Sequence, residues 1–307
     1  MRGALIQALT DLAADDDRVM LLTGDLGYTV VEPFAERFPA RFLNVGVAEQ
    51  NMVGVATGLA EAGFIPFVYS IATFAALRPY EFIRNGPVLH GLPVRVIGVG
   101  GGFDYGAAGP SHHALEDIAV MRALPGLAVL APADAAQCTA VIQATRDLPG
   151  PAYVRIGKDD RVLVPGLDGR FRIGRAELLR EGGAALMITM GAISAGAATA
   201  VDLLAADGID AGLLIVASVS PPPLEDLARA LARVPLAFAV EEHSRNGGLG
   251  SLVAEVIAER GIPCRLVRCG VGTTAAGPTG SDEWLRRRHG LDHDALVLRM
   301  RAELRKD

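Results

Sequence analysis

Glu49 stands in Val45-Gly46-Val47-Ala48-Glu49-Gln50-Asn51-Met52, after an apolar run and at the start of an almost wholly apolar helical stretch. A carboxylate there can simply meet the positive end of the helix dipole. Buried among apolar neighbours, it can instead hold and pass a proton. Gly109-Pro110-Ser111-His112-His113 puts two histidines on a Gly-Pro turn, where imidazoles suit proton transfer near neutrality. Ser111 is equally a natural helix N-cap. The adjacent histidines lack a nearby cysteine or third histidine, so they do not make a metal site by themselves. Gly98-Val99-Gly100-Gly101-Gly102-Phe103 follows a strand-like run and invites a dinucleotide-binding reading. It fails the fingerprint, because Phe103 holds the last glycine position and Pro110 arrives before any helix. Gly24-Asp25-Leu26-Gly27 carries a lone aspartate after a strand, a common turn or cap residue.

The elements that must position these residues are legible as an alternation. Apolar, β-branched runs at 18–25, 41–47, 64–71, 92–99, 127–131 and 151–156 sit between helix-like stretches, the pattern of βαβ units and a parallel sheet. A charged, Gly- and Pro-bearing segment follows, and strands resume at 185–190, 211–217, 236–240 and 265–269, with helices at 224–232 and 249–260. The expected fold is α/β: two three-layer α/β domains, each with a mainly parallel sheet, spanning 1–162 and 176–307 with a linker at 163–175.

Composition narrows the function. The chain has 307 residues, half of them hydrophobic, which is ample for a buried core and for two domains. Its 29 Lys+Arg against 35 Asp+Glu give a net charge of −6 and no basic stripe for a nucleic acid. Cys138, Cys264 and Cys269 form no even disulfide framework, which fits a reducing, cytoplasmic setting. The first residues lack a signal-peptide pattern. The uncharged stretch 182–201 is long enough to span a bilayer, but Gly191 divides it into a strand-like and a helix-like half, so no membrane segment is expected. Gly54 and Gly58, one helical turn apart, leave a bare helix face for close packing inside the chain or between subunits.

Taken in order, these motifs and Glu241-Glu242-His243-Ser244-Arg245-Asn246-Gly247-Gly248-Leu249-Gly250 resemble the transketolase family, especially split transketolases whose halves are separate chains. The resemblance covers essentially the whole chain. It implies a pyrimidine-binding domain followed by the family's C-terminal domain, with thiamine diphosphate as cofactor. Glu49 resembles the glutamate that hydrogen-bonds N1′ of the aminopyrimidine. Phe74, Leu77 and Tyr80 fall at the three slots that enclose its ring, and Asp25-Leu26 at a stretch that touches the cofactor. His112 corresponds to a histidine beside the substrate carbonyl and hydroxyls. Arg2, Thr29 and Lys158 fall where a sugar phosphate is held. Gly24-Asp25 is followed by Leu26, so the Gly-Asp-Gly site for Mg²⁺ and diphosphate is absent. The resemblance therefore implies a separate N-terminal subunit carrying that site, in an α₂β₂ assembly.

Three positions depart from common transketolases: Ala108 replaces a hydroxyl-reading aspartate, Gly100 a phosphate-binding histidine, and Lys158 an arginine. Lysine keeps the charge and loses the bidentate fork. The expected activity is transfer of a two-carbon ketol unit from a ketose, a sugar or sugar phosphate, to an aldehyde. Two alternatives are a 2-oxoacid decarboxylase or dehydrogenase β chain, and a non-catalytic regulatory subunit.

Overall fold

The computed structural model describes residues 1–272 and 277–306. The apolar runs of the first half become β1 (Val19–Thr23), β2 (Phe42–Asn44), β3 (Ile65–Ile71), β4 (Arg95–Val99), β5 (Ala128–Leu130) and β6 (Ala152–Ile156). They pair in parallel in the order β5-β6-β4-β3-β1-β2. Alternate residues feed opposite faces. Leu21, Phe67 and Ile97 pack with the helices Arg2–Asp15 and Ala135–Thr145. Leu22, Val68 and Val96 pack with Glu49–Glu61, Ala72–Leu77 and Asp117–Arg122.

Residues 157–176 carry no strand or helix. The second half supplies β7 (Glu177–Arg180), β8 (Ala185–Thr189), β9 (Ala211–Ile215), β10 (Ser218–Ser220), β11 (Leu236–Ser244) and β12 (Arg265–Val271). Five of them form a sheet in the order β12-β11-β8-β9-β7. The helices Ser194–Ala206 and His293–Leu304 cover one face, and Leu224–Leu231 and Leu249–Arg260 the other. Among the described residues no helix is long and apolar enough to cross a membrane.

Two strands are not anticipated from the sequence. The edge strand β7 runs antiparallel to β9 and alternates between half-buried and exposed residues, so it lacks an apolar run. The three-residue β10 leaves its own half and pairs antiparallel with β5, joining Ser218 to Leu130 and Ser220 to Val129. The halves are thus stitched together, and one apolar cluster runs through Val129, Ala131, Val216 and Val219 into both domains. Gly54 and Gly58 are exposed within this chain, so the face they leave bare is open.

Candidate functional site

The carboxyl ends of the parallel strands gather the chemistry, as open α/β sheets generally do. Glu49, the first residue of its helix, is buried beyond the end of β2. Ser70 Oγ, near the end of β3, donates to Glu49 Oε1 at 3.1 Å, and Arg78 Nη1 donates to Oε2 at 2.8 Å. Gly24 follows β1 and stands beside this carboxylate: a Cβ there would lie 3.9 Å from Glu49 Cδ, in ordinary contact. The Arg78 guanidinium lies over the Phe74 ring, 3.9 Å from its centre, and Phe74 meets the His112 ring edge-on at 5.0 Å. Glu49 and His112, distant in sequence, are therefore joined through Arg78 and Phe74.

His112 continues the same surface. Its Nδ1 is 3.0 Å from Ser111 Oγ, and its ring lies 6.4 Å from that of Tyr105. Lys158 Nζ stands 4.3 Å over the Tyr105 ring and donates to the Asp104 carbonyl at 3.1 Å. Arg2 Nε reaches the Lys158 carbonyl at 3.4 Å, and Arg2 and Thr29 line one 310 Å³ cavity with Gln7 and Asp160. His113, by contrast, is buried and turns its Nε2 to the Gly106 carbonyl at 3.3 Å.

Asp25 and Thr29 both hold left-handed backbone, φ 57° and 66°, an uncommon conformation for residues with a side chain. Asp25 Oδ1 accepts from Asn44 Nδ2 at 3.1 Å and from Tyr28 Oη at 2.9 Å; these bonds hold its carboxyl below the usual range. The Leu26 carbonyl accepts from Thr23 Oγ1 at 2.8 Å. Phe74, Leu77 and Tyr80 do not share one helix, because Pro79 separates Ala72–Leu77 from Tyr80–Ile83. Leu77 is exposed, while Tyr80 packs against the core and donates its hydroxyl to the Val120 carbonyl at 3.1 Å.

The glycine run 98–102 is a packing junction. Side chains at Gly100, Gly101 and Gly102 would collide with Tyr105, Arg155 and Glu242 respectively, and Gly100 also has φ 78°. Tyr105 thus occupies the space that a side chain at position 100 would need.

The Glu241-Glu242-His243 motif lies where the domains meet. Glu241 accepts from Leu249 N at 2.8 Å and Gly250 N at 2.9 Å, capping the helix Leu249–Arg260, while burial pushes its pKa up to about 7. His243 is fully buried; Nδ1 donates to the Ser244 carbonyl at 2.7 Å and Nε2 accepts from Ala119 N at 3.4 Å. Both ring nitrogens are used by the neutral imidazole, and burial lowers its pKa to about 4. An unfolded histidine titrates near 6.5. Between pH 6.5 and 4 the unfolded chain takes a proton that the folded chain refuses, so acidification removes stability, up to about 3 kcal/mol. Glu241 and Asp104, the latter raised by burial and Glu242 to about 6, act in the opposite direction on acidification. His243→Gln isolates the histidine: the wild-type urea midpoint should fall relative to the variant's between pH 6.5 and 4. Parallel pH profiles would remove this assignment.

Two α/β domains sharing a core, with a buried carboxylate, an aromatic face and a half-exposed histidine, define the class as α/β with a candidate site at the strand ends. The chain belongs to the transketolase family: residues 1–161 match the transketolase pyrimidine-binding domain and 174–296 the transketolase C-terminal domain. It is 35% identical to the 6-deoxy-6-sulfo-D-fructose transketolase subunit SqwH of Clostridium sp. (strain MSTE9), covering 97% of this chain and 92% of that one. It is 33% identical to one of the subunits of the apulose-4-phosphate transketolase of Actinobacillus succinogenes, covering 92% of this chain and 90% of that one. A split-gene transketolase described as an inactive β4 tetramer superposes with a TM-score of 0.87 at 37% identity, over 99% of this chain and 97% of that one. The transketolase of Campylobacter jejuni shares the fold, TM-score 0.80 at 18% identity, over 96% of this chain and 45% of that one.

Arg78 and Ser70 contact Glu49, and Tyr105 lies beside His112; none of the three is assigned by the sequence motifs. Arg78 is the lone charged residue of the stretch 71–80, a usable signal for a buried carboxylate partner. Tyr105 gives none, because its place depends on how the 100–112 loop folds.

Proposed function

We propose that this chain is the β subunit of a two-chain transketolase that moves a two-carbon ketol unit from a ketose to an aldehyde. The observation that carries it is the buried Glu49 carboxylate, held by Ser70 and Arg78 beside the face of Phe74. These groups fit the aminopyrimidine half of thiamine diphosphate, a carboxylate suiting a ring nitrogen and an aromatic side chain suiting the ring. When bound, that cofactor supplies the nucleophilic carbon for breaking and re-forming the ketose C2–C3 bond.

The chain's own residues do the rest. Glu49 holds a proton at the ring's N1′, Phe74, Leu77 and Tyr80 wall the ring, and Asp25-Leu26 flank it. His112 faces the substrate carbonyl and hydroxyls, and Arg2, Thr29 and Lys158 read its distal end. Lys158 offers a point charge, so a phosphate there is held without the bidentate geometry of arginine. Ala108 and the Tyr105-filled space at Gly100 favour a substrate other than an ordinary pentose phosphate.

Mg²⁺ and the diphosphate are assigned to a separate N-terminal subunit in an α₂β₂ assembly. The related β4 tetramer is described as inactive, which supports the need for a second chain. Apolar side chains near the Glu49 helix also await cover: Val47 is 70%, Leu77 43%, Phe82 45% and Leu89 72% exposed. The three buried free thiols suit a cytoplasmic setting. Capture of the tagged chain from its native lysate tests this reading. The expected eluate contains a second subunit together with thiamine diphosphate and Mg²⁺, at a mass near α₂β₂. Recovery of the chain alone, free of cofactor, would count against it.

A further inference from the structure

The 102–115 loop that carries His112 contains two single-turn helices, Gly106–Ala108 and Pro110–His112. Its base is closed within its own domain by Gly102 and Ala114, whose N–H groups donate to each other's carbonyls at 2.9 and 3.0 Å, and by Arg155 Nη2, which donates to the Ala114 carbonyl at 3.0 Å; several further anchors lie in the other domain. Glu242 Oε1 accepts from Phe103 N at 2.9 Å, and Ser244 N donates to the Leu115 carbonyl at 2.8 Å. Gly280 N donates to the Gly106 carbonyl at 3.3 Å. The His289 ring stacks on Phe103 at 5.1 Å and 15°. The second Glu242 oxygen accepts from Arg286 Nε at 3.0 Å and pairs with Nη2 at 2.9 Å. Arg286 Nη2 also faces Asp104 Oδ1 at 3.6 Å, and Asp104 Oδ2 accepts from Lys158 N at 2.8 Å.

A Glu–Arg–Asp triad with Glu242 buried and Arg286 and Asp104 part-buried is a poor way to gain stability, since desolvation offsets much of the Coulomb attraction. Its bonds are directional, however, and each end stops at a site residue: Phe103 and Asp104 lead into Tyr105 and His112, and Asp104 holds Lys158. We infer that the C-terminal domain is part of the site machinery, with Glu242 and Arg286 as positioning residues that fix His112 and Lys158 against the substrate. This rests on the transketolase reading for what His112 and Lys158 touch. The holding of the loop itself rests on the structure alone.

Arg286→Met, Arg286→Lys and the wild type are compared in the captured complex and in the purified chain. Donor probes are D-fructose 6-phosphate and L-erythrulose, with D-glyceraldehyde as acceptor. A misplacement of about 1 Å costs about 10²-fold in rate. The expected result is therefore a fall of that order in kcat/KM for Arg286→Met, partial recovery in Arg286→Lys, and C2–H exchange of bound thiamine diphosphate within about twofold of wild type. That exchange uses Glu49 and not the loop, so a merely structural loss would lower both. In the purified chain, amide exchange of 103–114 should speed up at least tenfold in Arg286→Met while β3 and the Glu49 helix keep their protection. Unchanged kcat/KM, a parallel loss of C2–H exchange, or unchanged protection of 103–114 would overturn the inference. A wild-type complex that binds no cofactor and transfers from neither donor would instead refute the transketolase reading, leaving amide exchange to decide whether the triad holds the loop.

Discussion

Glu49→Gln should lower kcat of the reconstituted complex by about 10²–10⁴-fold, the range typical of a lost proton-transfer group. The amide keeps the shape of the carboxylate and one oxygen to accept from Ser70 Oγ. It cannot take a proton at the ring nitrogen, and its NH₂ would face the Arg78 guanidinium donor to donor. Arg78 is well exposed and can swing toward water, so the lost ion pair itself costs at most about 1 kcal/mol. A buried amide hydrogen left unpaired adds about 1–3 kcal/mol. Activity should therefore fall far more steeply than stability. Single-turnover rates, C2–H exchange of bound thiamine diphosphate and a thermal melt separate the two. Equal kcat in the variant would end the proton-transfer role, and a variant that no longer assembles would show that Glu49 serves packing.

What is legible in the sequence follows from the range of the forces involved. Strands β1, β3, β4, β6 and β8 are buried on both faces, so they appear as largely apolar runs, interrupted by Arg95 in β4 and Arg155 in β6. Glu49 stands out because a carboxylate opening an apolar helix has few ways to be hydrated. The site's order along the chain carries the family resemblance, including both domains. Strand β7 escapes notice because an edge strand of pattern Glu-Leu-Leu-Arg has no apolar period, and β10 because three residues pair with a strand far away in sequence. The glycines at 98–102 suggest a phosphate cradle when their partners are out of sight. Their meaning lies in Tyr105, Arg155 and Glu242, the last from the other domain. Glu241, Glu242 and His243 are legible as a family signature only. Their work of capping a helix, clasping a loop and bonding to Ala119 is set by tertiary contacts that no local pattern encodes.

Arg95→Met should destabilise the chain by about 2–5 kcal/mol, although arginine in a buried strand looks like the costlier residue. Arg95 lies at the start of β4 and is fully buried. Burial lowers its pKa to about 10, which leaves it charged at neutral pH and records a real desolvation cost. The guanidinium offsets that cost by donating to three carbonyls: Nε to Thr145 at 2.9 Å, Nη1 to Gly150 and Nη2 to Leu148, both at 2.6 Å. These carbonyls end the helix Ala135–Thr145 and the turn leading into β6, where a cation also meets the negative end of the helix dipole. Methionine fills the volume and removes all three donors at once. The Thr145 carbonyl keeps its bond from Leu148 N at 3.2 Å but loses the charge-assisted one, at about 1.5–3 kcal/mol, while the other two lie close enough to solvent to recover part of their loss. Lysine can serve one or two of the three, so Arg95→Lys should fall between the wild type and Arg95→Met. For a domain of this size the methionine variant should melt about 4–15 °C lower. Urea unfolding at pH 7 checks the order of the three proteins. An Arg95→Met variant as stable as the wild type would mean that relief from burying the charge matches the lost hydrogen bonds, and that the turn before β6 holds itself.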